Sequence, residues 1–195
     1  FLINNKFLGD KTGKGFYYKE KAEDGSWNRF ALDLDSLTYR PMVRAKVAAV
    51  EAAKQAGSTK NKLTVLLKDS GKAGELIRKH FASLFAYVSQ RVPEITDVFY
   101  PIDDAIRTGY AWKIGPFETW DLVGLQKGIE LVEAEGYQVA DWVKELAKTG
   151  ADSFYKIENG KKLFYNQNTK TFDPIPGQDA FIILDLSLIH ISEPT

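Results

Sequence analysis

Residues 102–124 decide the fold of this chain and read IDDAIRTGYAWKIGPFETWDLVG. The stretch predicts a short helix, a tight loop and a second helix. Gly109 lies where the first helix needs a left-handed residue at its end. Pro116 suits the first position of the second helix because its absent N–H costs nothing there, and Glu118 meets the positive end of the helix dipole.

The second helix of this stretch carries a heavy apolar load for its length, with Phe117, Trp120 and Leu122 close together on it. So much aromatic and aliphatic surface on a short element predicts a partner against which it is buried. We therefore expect these three residues to form an interface between two helical units of the protein.

Three motifs along the chain resemble signatures of one family. They are GDKTGKGFY at residues 9–17, RVPEI at residues 91–95 and GPFETWDLVG at residues 115–124. In this order they are similar to the C-terminal part of 3-hydroxyacyl-CoA dehydrogenases. The likeness is strongest to the long bacterial enzymes in which an enoyl-CoA hydratase domain follows the dehydrogenase. It covers nearly the whole chain, and none of the three motifs is catalytic in that family.

The resemblance implies a parent oxidoreductase of fatty-acid β-oxidation, which uses NAD to oxidise a 3-hydroxyacyl-CoA to the 3-oxoacyl-CoA. In that family an N-terminal Rossmann domain binds NAD and carries a catalytic His oriented by a Glu. No Gly-x-Gly-x-x-Gly follows a predicted strand in this sequence. We therefore assign no catalytic or cofactor-binding role to any of its residues. The family's C-terminal helices close the acyl-CoA cleft and form a dimer-like interface. We expect this fragment to do the same and to be inactive alone.

The rest of the pattern predicts a mainly α fold with short β-hairpins at residues 15–34 and 153–173. Asp24-Gly25 and Asn159-Gly160 are the expected hairpin turns. Helical periodicity and caps predict further helices over residues 42–56, 62–67, 73–92, 126–135 and 139–148. Val43 is expected on the apolar face of the first of these, and Pro93 is expected to stop the longest one.

The two hairpin segments also resemble each other. Residues 166–174 align with residues 33–41, with a Thr, an aromatic residue and a Pro in matching places. Such a repeat favours two successive units, each made of helices closed by a hairpin. We therefore divide the chain into residues 1–41, the end of a first helical unit, and residues 42–180, a whole second unit.

Composition limits the possible function classes. The 195 residues include 26 Lys plus Arg and 26 Asp plus Glu, so no net charge favours nucleic acid. Hydrophobic residues make up 44% of the chain, but no apolar run approaches the ~18 residues that a membrane span needs. The absence of Cys excludes disulfides and thiolate metal sites. With no leader segment recognisable, we expect a cytoplasmic protein.

Both ends of the sequence indicate that it is a fragment of a longer protein. The chain opens on Phe1, and its only Met is Met42. Residues 186–195 read LSLIHISEPT and resemble a translated sequencing adapter, the alternative being a native amphipathic tail. We interpret this tail as non-native and exclude it from the fold and function, which leaves His80 as the one histidine to interpret because His190 lies in the tail.

Several candidate functional residues have plainer structural explanations. His80 lies beside an apolar helical stripe without a second His, which favours a packing or surface role over a metal ligand or general base. Asp103 and Asp104 would point about 100° apart on a helix, which favours capping after Pro101 over a catalytic pair. The glycine-rich loop at residues 9–15 lacks the spacing of a P-loop.

The alternative function is a free-standing acyl-CoA-binding module, or a structural helical module without catalysis. Lys11, Lys14 and Lys113 are the candidate ligands for the CoA phosphates. Solvated surface lysines are the commoner explanation of such residues.

Overall fold

The computed structural model describes residues 1–178 of the chain. As predicted, the fold is mainly α, with seven α-helices and two small three-stranded antiparallel sheets among these residues. The chain divides into two compact units, Phe1–Lys46 and the residues from Val47 onward. The proposed tail at residues 186–195 lies outside the described residues, and the division into successive repeats stays a prediction.

The first unit consists of turns, a short 3-10 helix and a sheet. The 3-10 helix is Asp10–Thr12, and the strands are β1 (Tyr17–Lys21), β2 (Trp27–Leu32) and β3 (Tyr39–Pro41). Both outer strands pair antiparallel with β2. The predicted hairpin is therefore present, and β3 extends it to three strands.

The second unit contains all seven described α-helices and the second sheet. The helices are α1 (Ala48–Gln55), α2 (Thr59–Lys68), α3 (Lys72–Ile95), α4 (Tyr100–Tyr110), α5 (Pro116–Val123), α6 (Leu125–Ala134) and α7 (Asp141–Lys148). The strands are β4 (Tyr155–Glu158), β5 (Lys161–Asn166) and β6 (Thr171–Pro174). Asn159 and Gly160 join β4 to β5 with φ values of 53° and 72°, as a type I′ turn requires. None of the described helices has the length and apolar content to cross a membrane.

Several helix boundaries differ from those predicted, and two of them show why. The first helix begins at Ala48 rather than at residue 42, and Val43 is 78% exposed instead of lying on a buried face. The helix α4 runs past Gly109, and the left-handed residue at its end is Ala111, with φ 53°. The predictions from apolar spacing and from Gly109 were therefore wrong at both ends, because helix ends also depend on contacts outside the local sequence.

Pro93 does not end α3, which continues to Ile95. A proline inside a helix removes the N–H that would bond the carbonyl four residues earlier, here that of Ser89. The Trp142 indole supplies a replacement, since its Nε1–H donates to the Ser89 carbonyl oxygen at 2.9 Å. The predicted stop at Pro93 is therefore wrong because a distant side chain satisfies the freed carbonyl.

The core of the second unit is built from aromatic rings. Trp120 of α5 stacks on Phe85 of α3 with a centroid distance of 4.5 Å. Phe154, which directly precedes β4, inserts edge-on at 5.0 Å from Trp120 and 5.1 Å from Phe117. All four side chains are 0% exposed. The ring that precedes β4 thus anchors the closing sheet in the helical layer.

The two sheets share one register. The matching cross-strand pairs are Leu32↔Tyr39 in the first sheet and Tyr165↔Phe172 in the second. In the loops between these strands, the non-glycine residues Leu37 and Lys170 both have a left-handed backbone, with φ 54° and 59°. The sequence repeat therefore has a structural counterpart in the sheets.

Candidate functional site

The start of α5 is held by one buried carboxylate, that of Asp103 in α4. Its Oδ1 accepts from the backbone N–H of Phe117 at 2.9 Å and its Oδ2 from that of Glu118 at 3.0 Å. These N–H groups belong to the first turn of α5, where the helix itself offers no acceptor. The prediction that Asp103 caps the helix after Pro101 is therefore wrong, because its side chain crosses to the next helix.

The neighbouring carboxylate points elsewhere. Asp104 is partly exposed and forms an ion pair with Arg107 on its own helix. The two aspartates do not converge on one point, as their adjacent helical positions predicted. They form no general acid–base pair.

Gly115 is required by the close approach of Asp103. A Cβ at Gly115 would lie 2.3 Å from the Asp103 carboxyl carbon, far inside van der Waals contact. Pro116 occupies the first helical position, as predicted, and Phe117 is buried. Each residue of the Gly-Pro-Phe motif therefore has a structural role: close approach, helix initiation and core packing.

Glu118 joins the loop, α4 and the second sheet. Its Oε2 accepts from the backbone N–H of Gly115 at 2.8 Å, and Arg107 of α4 pairs with the same oxygen. Its Oε1 accepts from the ammonium group of Lys162 in β5. Burial raises the pKa of Glu118, but the bonds from Lys162 and the Gly115 N–H outweigh it and hold the pKa below its usual value.

Three further hydrogen bonds tie the sheet to the helices. The Tyr155 hydroxyl donates to Asp103 Oδ2 at 2.8 Å. Asp121 of α5 accepts from the backbone N–H groups of Phe154 and Tyr155 at 2.7 and 3.0 Å. The carboxylates of the motif region therefore serve as acceptors for backbone and hydroxyl donors of elements distant in sequence.

Burial dominates the ionisation of the two aspartates. It raises the pKa of Asp103 to about 7, against the opposing hydrogen bonds from Phe117 and Tyr155. It raises the pKa of Asp121 to about 7 in the same way, against the N–H donors of Phe154 and Tyr155. A carboxyl that titrates near neutrality suits proton transfer. Asp103, however, is 0% exposed and both its oxygens are engaged, so its position is that of a structural group.

The three predicted interface residues differ in exposure. Phe117 and Trp120 are 0% exposed, and their ring contacts lie within the second unit. Leu122 is half-buried and lines a groove of about 430 Å³ together with Lys60 and Gly150. The first two residues are core residues of their own unit. The role of all three at an interface between units stays a prediction.

The candidate CoA-binding lysines are not alike. The Lys14 ammonium lies 4.8, 4.9 and 4.4 Å from the ring centroids of Phe7, Tyr18 and Tyr39. Such a position over three rings stabilises the cation within the first unit and gives Lys14 a structural function. Lys11 and Lys113 are exposed, the former in the first unit and the latter in the second.

His80 lies on the surface of α3. Its ring is 5.4 Å from that of Phe81, and it lines a groove of about 530 Å³ with Tyr87 and Tyr137. Within residues 1–178, no three His, Cys, Asp or Glu side chains lie close enough together to hold a metal ion.

The described fold does not fit NAD. Both of its sheets are purely antiparallel, whereas a dinucleotide site of the Rossmann type requires parallel strands joined through a helix. Residues 1–178 therefore contain no NAD site of the Rossmann type.

Sequence reasoning missed Asp121, Tyr155 and Lys162 as members of the network. Asp121 follows Trp120 directly in the motif, and this position is the one local signal that could have indicated it. Its partners, however, are backbone groups more than 30 residues further along the chain, at Phe154 and Tyr155. No local pattern indicates a contact of that separation.

Comparison with known proteins identifies relatives for most of the chain. No family model matches it. A probable 3-hydroxyacyl-CoA dehydrogenase of Bacillus subtilis (strain 168) is 35% identical over 166 residues, which are 85% of this chain and 20% of that protein. Putative fatty acid oxidation complex trifunctional enzymes of Rickettsia felis and Rickettsia prowazekii are 27% and 25% identical over 117 residues, which are 60% of this chain and 15% of each relative. The resemblance predicted from the motifs is confirmed, and the chain spans a fifth or less of these relatives.

Proposed function

We propose that this chain, which is related over most of its length to a segment of 3-hydroxyacyl-CoA dehydrogenases, is a non-catalytic helical part of such an enzyme. Its role is to close the acyl-CoA cleft and to form a dimer-like interface. The observation that carries the proposal is the 35% identity over 166 residues to a protein named as a probable dehydrogenase.

The parent protein on this proposal is a cytoplasmic oxidoreductase of fatty-acid β-oxidation. It oxidises a 3-hydroxyacyl-CoA, and its NAD and its catalytic His–Glu pair belong to a separate Rossmann domain. This division fits the antiparallel sheets of the described residues, which offer no Rossmann-type NAD site.

The residues of this chain contribute rigidity rather than chemistry. Asp103 and Glu118 fix the first turn of α5, and Asp121 fixes the start of the sheet that closes the unit. Groups that are fully hydrogen-bonded and buried hold their elements in one arrangement. A wall held in this way would keep the acyl-CoA cleft closed to water while the reaction proceeds in the neighbouring domain.

Calorimetry separates this proposal from the alternative of a free-standing acyl-CoA-binding module. Residues 1–185 are titrated with acetoacetyl-CoA, and the longer parent protein is titrated in parallel. The proposal predicts heat from the parent alone. Heat from residues 1–185 would favour the module, with the exposed Lys11 and Lys113 as the first residues to test.

The proposed interface role of Leu122 has its own test. Leu122→Ala is made in the parent protein and in this chain, with Leu76→Ala, at a residue 68% exposed on α3, as the control. An interface predicts that the melting temperature falls further in the parent than in the chain for Leu122→Ala only. An equal fall in both would assign Leu122 to its own unit.

A further inference from the structure

The first unit's sheet exposes aromatic side chains whose counterparts in the second unit are covered. Phe16 and Tyr17 are 57% and 64% exposed. The residues at the matching places of the second sheet are Phe154, which is 0% exposed, and Tyr155, which is half-buried.

The equivalence of these positions rests on the backbone. The N–H of Leu32 donates to the Phe16 carbonyl at 2.8 Å, and the N–H of Tyr165 donates to the Phe154 carbonyl at 2.9 Å. Leu32 and Tyr165 are themselves matched by the shared register with the third strand of each sheet. Phe16 and Tyr17 therefore stand where Phe154 and Tyr155 stand.

A helical layer covers the two aromatic residues of the second sheet. Phe154 lies against the rings of Phe117 and Trp120, and the Tyr155 hydroxyl donates to Asp103. The layer thus supplies aromatic rings for the first residue and a carboxylate for the second. Its other carboxylate, Asp121, accepts from the N–H groups of both residues.

Phe16, but not its neighbour Tyr17, lines an open apolar groove of the first unit. Its volume is about 680 Å³. The lining includes Phe1, Phe7, Phe16, Leu32, Leu34 and Leu37. Phe1, Leu34 and Leu37 are 51%, 66% and 42% exposed. A contiguous exposed apolar patch of this kind marks an interaction surface.

We propose that this groove docks a helical layer of the same chemistry as α3–α7, supplied by a segment that precedes this one in the longer protein. The layer presents aromatic rings to Phe16 and carboxylate acceptors to Tyr17. In the second unit the helices likewise precede their sheet. The inference rests on the proposed function, because it requires a longer parent chain. The B. subtilis relative is long enough to contain such a layer, since the matched segment is 20% of that protein.

A second copy of the chain is a poorer occupant. Asp103 and Asp121 are the carboxylates that accept from Phe154 and Tyr155 in the second unit, and their oxygens are engaged by donors of that unit. A second copy would therefore bring no free acceptor of this kind to Tyr17. A separate helical layer with its own carboxylates would bring such an acceptor to Tyr17.

Hydroxyl-radical footprinting tests the inference on this chain and on the longer parent protein. Phe16 and Tyr17 should be oxidised readily in the chain and protected severalfold in the parent, because their rings pass from more than half exposed to buried. Trp27 is the control, because it is 57% exposed in the same sheet. The residue at its matching place in the second sheet is a glycine, Gly160, so no covered aromatic ring corresponds to Trp27. Trp27 should therefore be oxidised equally in both proteins.

The outcomes distinguish the inference from the proposed function. Equal oxidation of Phe16 in both proteins would overturn the inference. Protection of Phe16 in the shorter chain that grows with protein concentration would also overturn it, because a second copy would then cover the groove. Protection of Phe16 in a parent that lacks dehydrogenase activity would retain the inference and reject the proposed function. An active parent with Phe16 exposed would do the reverse.

Discussion

Gly128 of α6 gives the Trp120 indole the space it occupies. A Cβ at Gly128 would lie 1.9 Å from Trp120 Nε1, the atom whose N–H donates to the Leu125 carbonyl at 3.1 Å. Gly128→Ala must therefore displace the ring from its stack on Phe85, and overpacking of this kind costs ~1–3 kcal/mol. We expect a lower free energy of unfolding in urea, followed by near-UV circular dichroism.

The control for this substitution is Gly109→Ala in α4. Gly109 is exposed and helical, and an added Cβ there would meet nothing within 4 Å. Alanine at such a position raises stability by ~0.4–1 kcal/mol because the unfolded chain loses conformational freedom. Equal stability of the two variants would contradict the packing described around Trp120.

The buried aspartates predict how stability varies with pH. Burial raises the pKa of Asp103 and of Asp121 to about 7, above the ordinary value of 3.8 in the unfolded chain. The folded protein therefore binds more protons than the unfolded protein between these values, so stability falls as pH rises across this window. Each carboxyl contributes up to ~4 kcal/mol to the fall. Glu118, whose pKa is lowered, acts with the opposite sign at lower pH, where its stabilisation is lost.

Asp121→Asn isolates the contribution of one carboxyl. We expect the variant to be less stable than the wild type at low pH, where the Asp121 carboxyl is protonated, and to lose less stability than the wild type between ~pH 4.5 and ~pH 7.5 in urea unfolding. The exposed Asp141→Asn is the control and should keep the wild-type fall. If Asp121→Asn lost as much stability as the wild type over this pH range, the Asp121 carboxyl would have an ordinary pKa.

At the scale of elements, Tyr155 connects β4 to α4. Tyr155→Phe removes the hydroxyl donor to Asp103 Oδ2 and leaves that oxygen with the Glu118 N–H. Loss of one hydrogen-bond partner of a buried polar group costs ~1–3 kcal/mol. Tyr137→Phe, at a residue 47% exposed, is the matched control and should change the free energy of unfolding little. Equal effects of the two substitutions would contradict a stabilising link through Tyr155.

The elements that sequence predicted are those whose cause is local. Asn159 and Gly160 adopt left-handed backbones that suit a tight hairpin, so the turn was predictable from two residues. Pro93 and Asp103 were misjudged because their consequences depend on distant partners. Trp142 satisfies the carbonyl that Pro93 leaves free, and the donors to Asp103 lie in the next helix.

At the scale of the whole molecule, the likeness of the two closing sheets was predictable and the candidate site was not. The aligned loops at residues 33–41 and 166–174 indicated two equivalent closing segments, and the sheets share their register. Phe117 and Trp120 were recognised as buried aromatic residues, but spacing along one helix cannot show which surface buries them. The contacts that answer this question come from α3 and from the residue before β4.

The central claim is that this chain is the non-catalytic part of a 3-hydroxyacyl-CoA dehydrogenase. Its most direct test is NADH formation, followed by absorbance, from NAD and 3-hydroxybutyryl-CoA. The longer parent protein and residues 1–185 are compared at equal concentration. The account predicts NADH from the parent and none from residues 1–185. A parent without this activity, or activity in residues 1–185 alone, would contradict it.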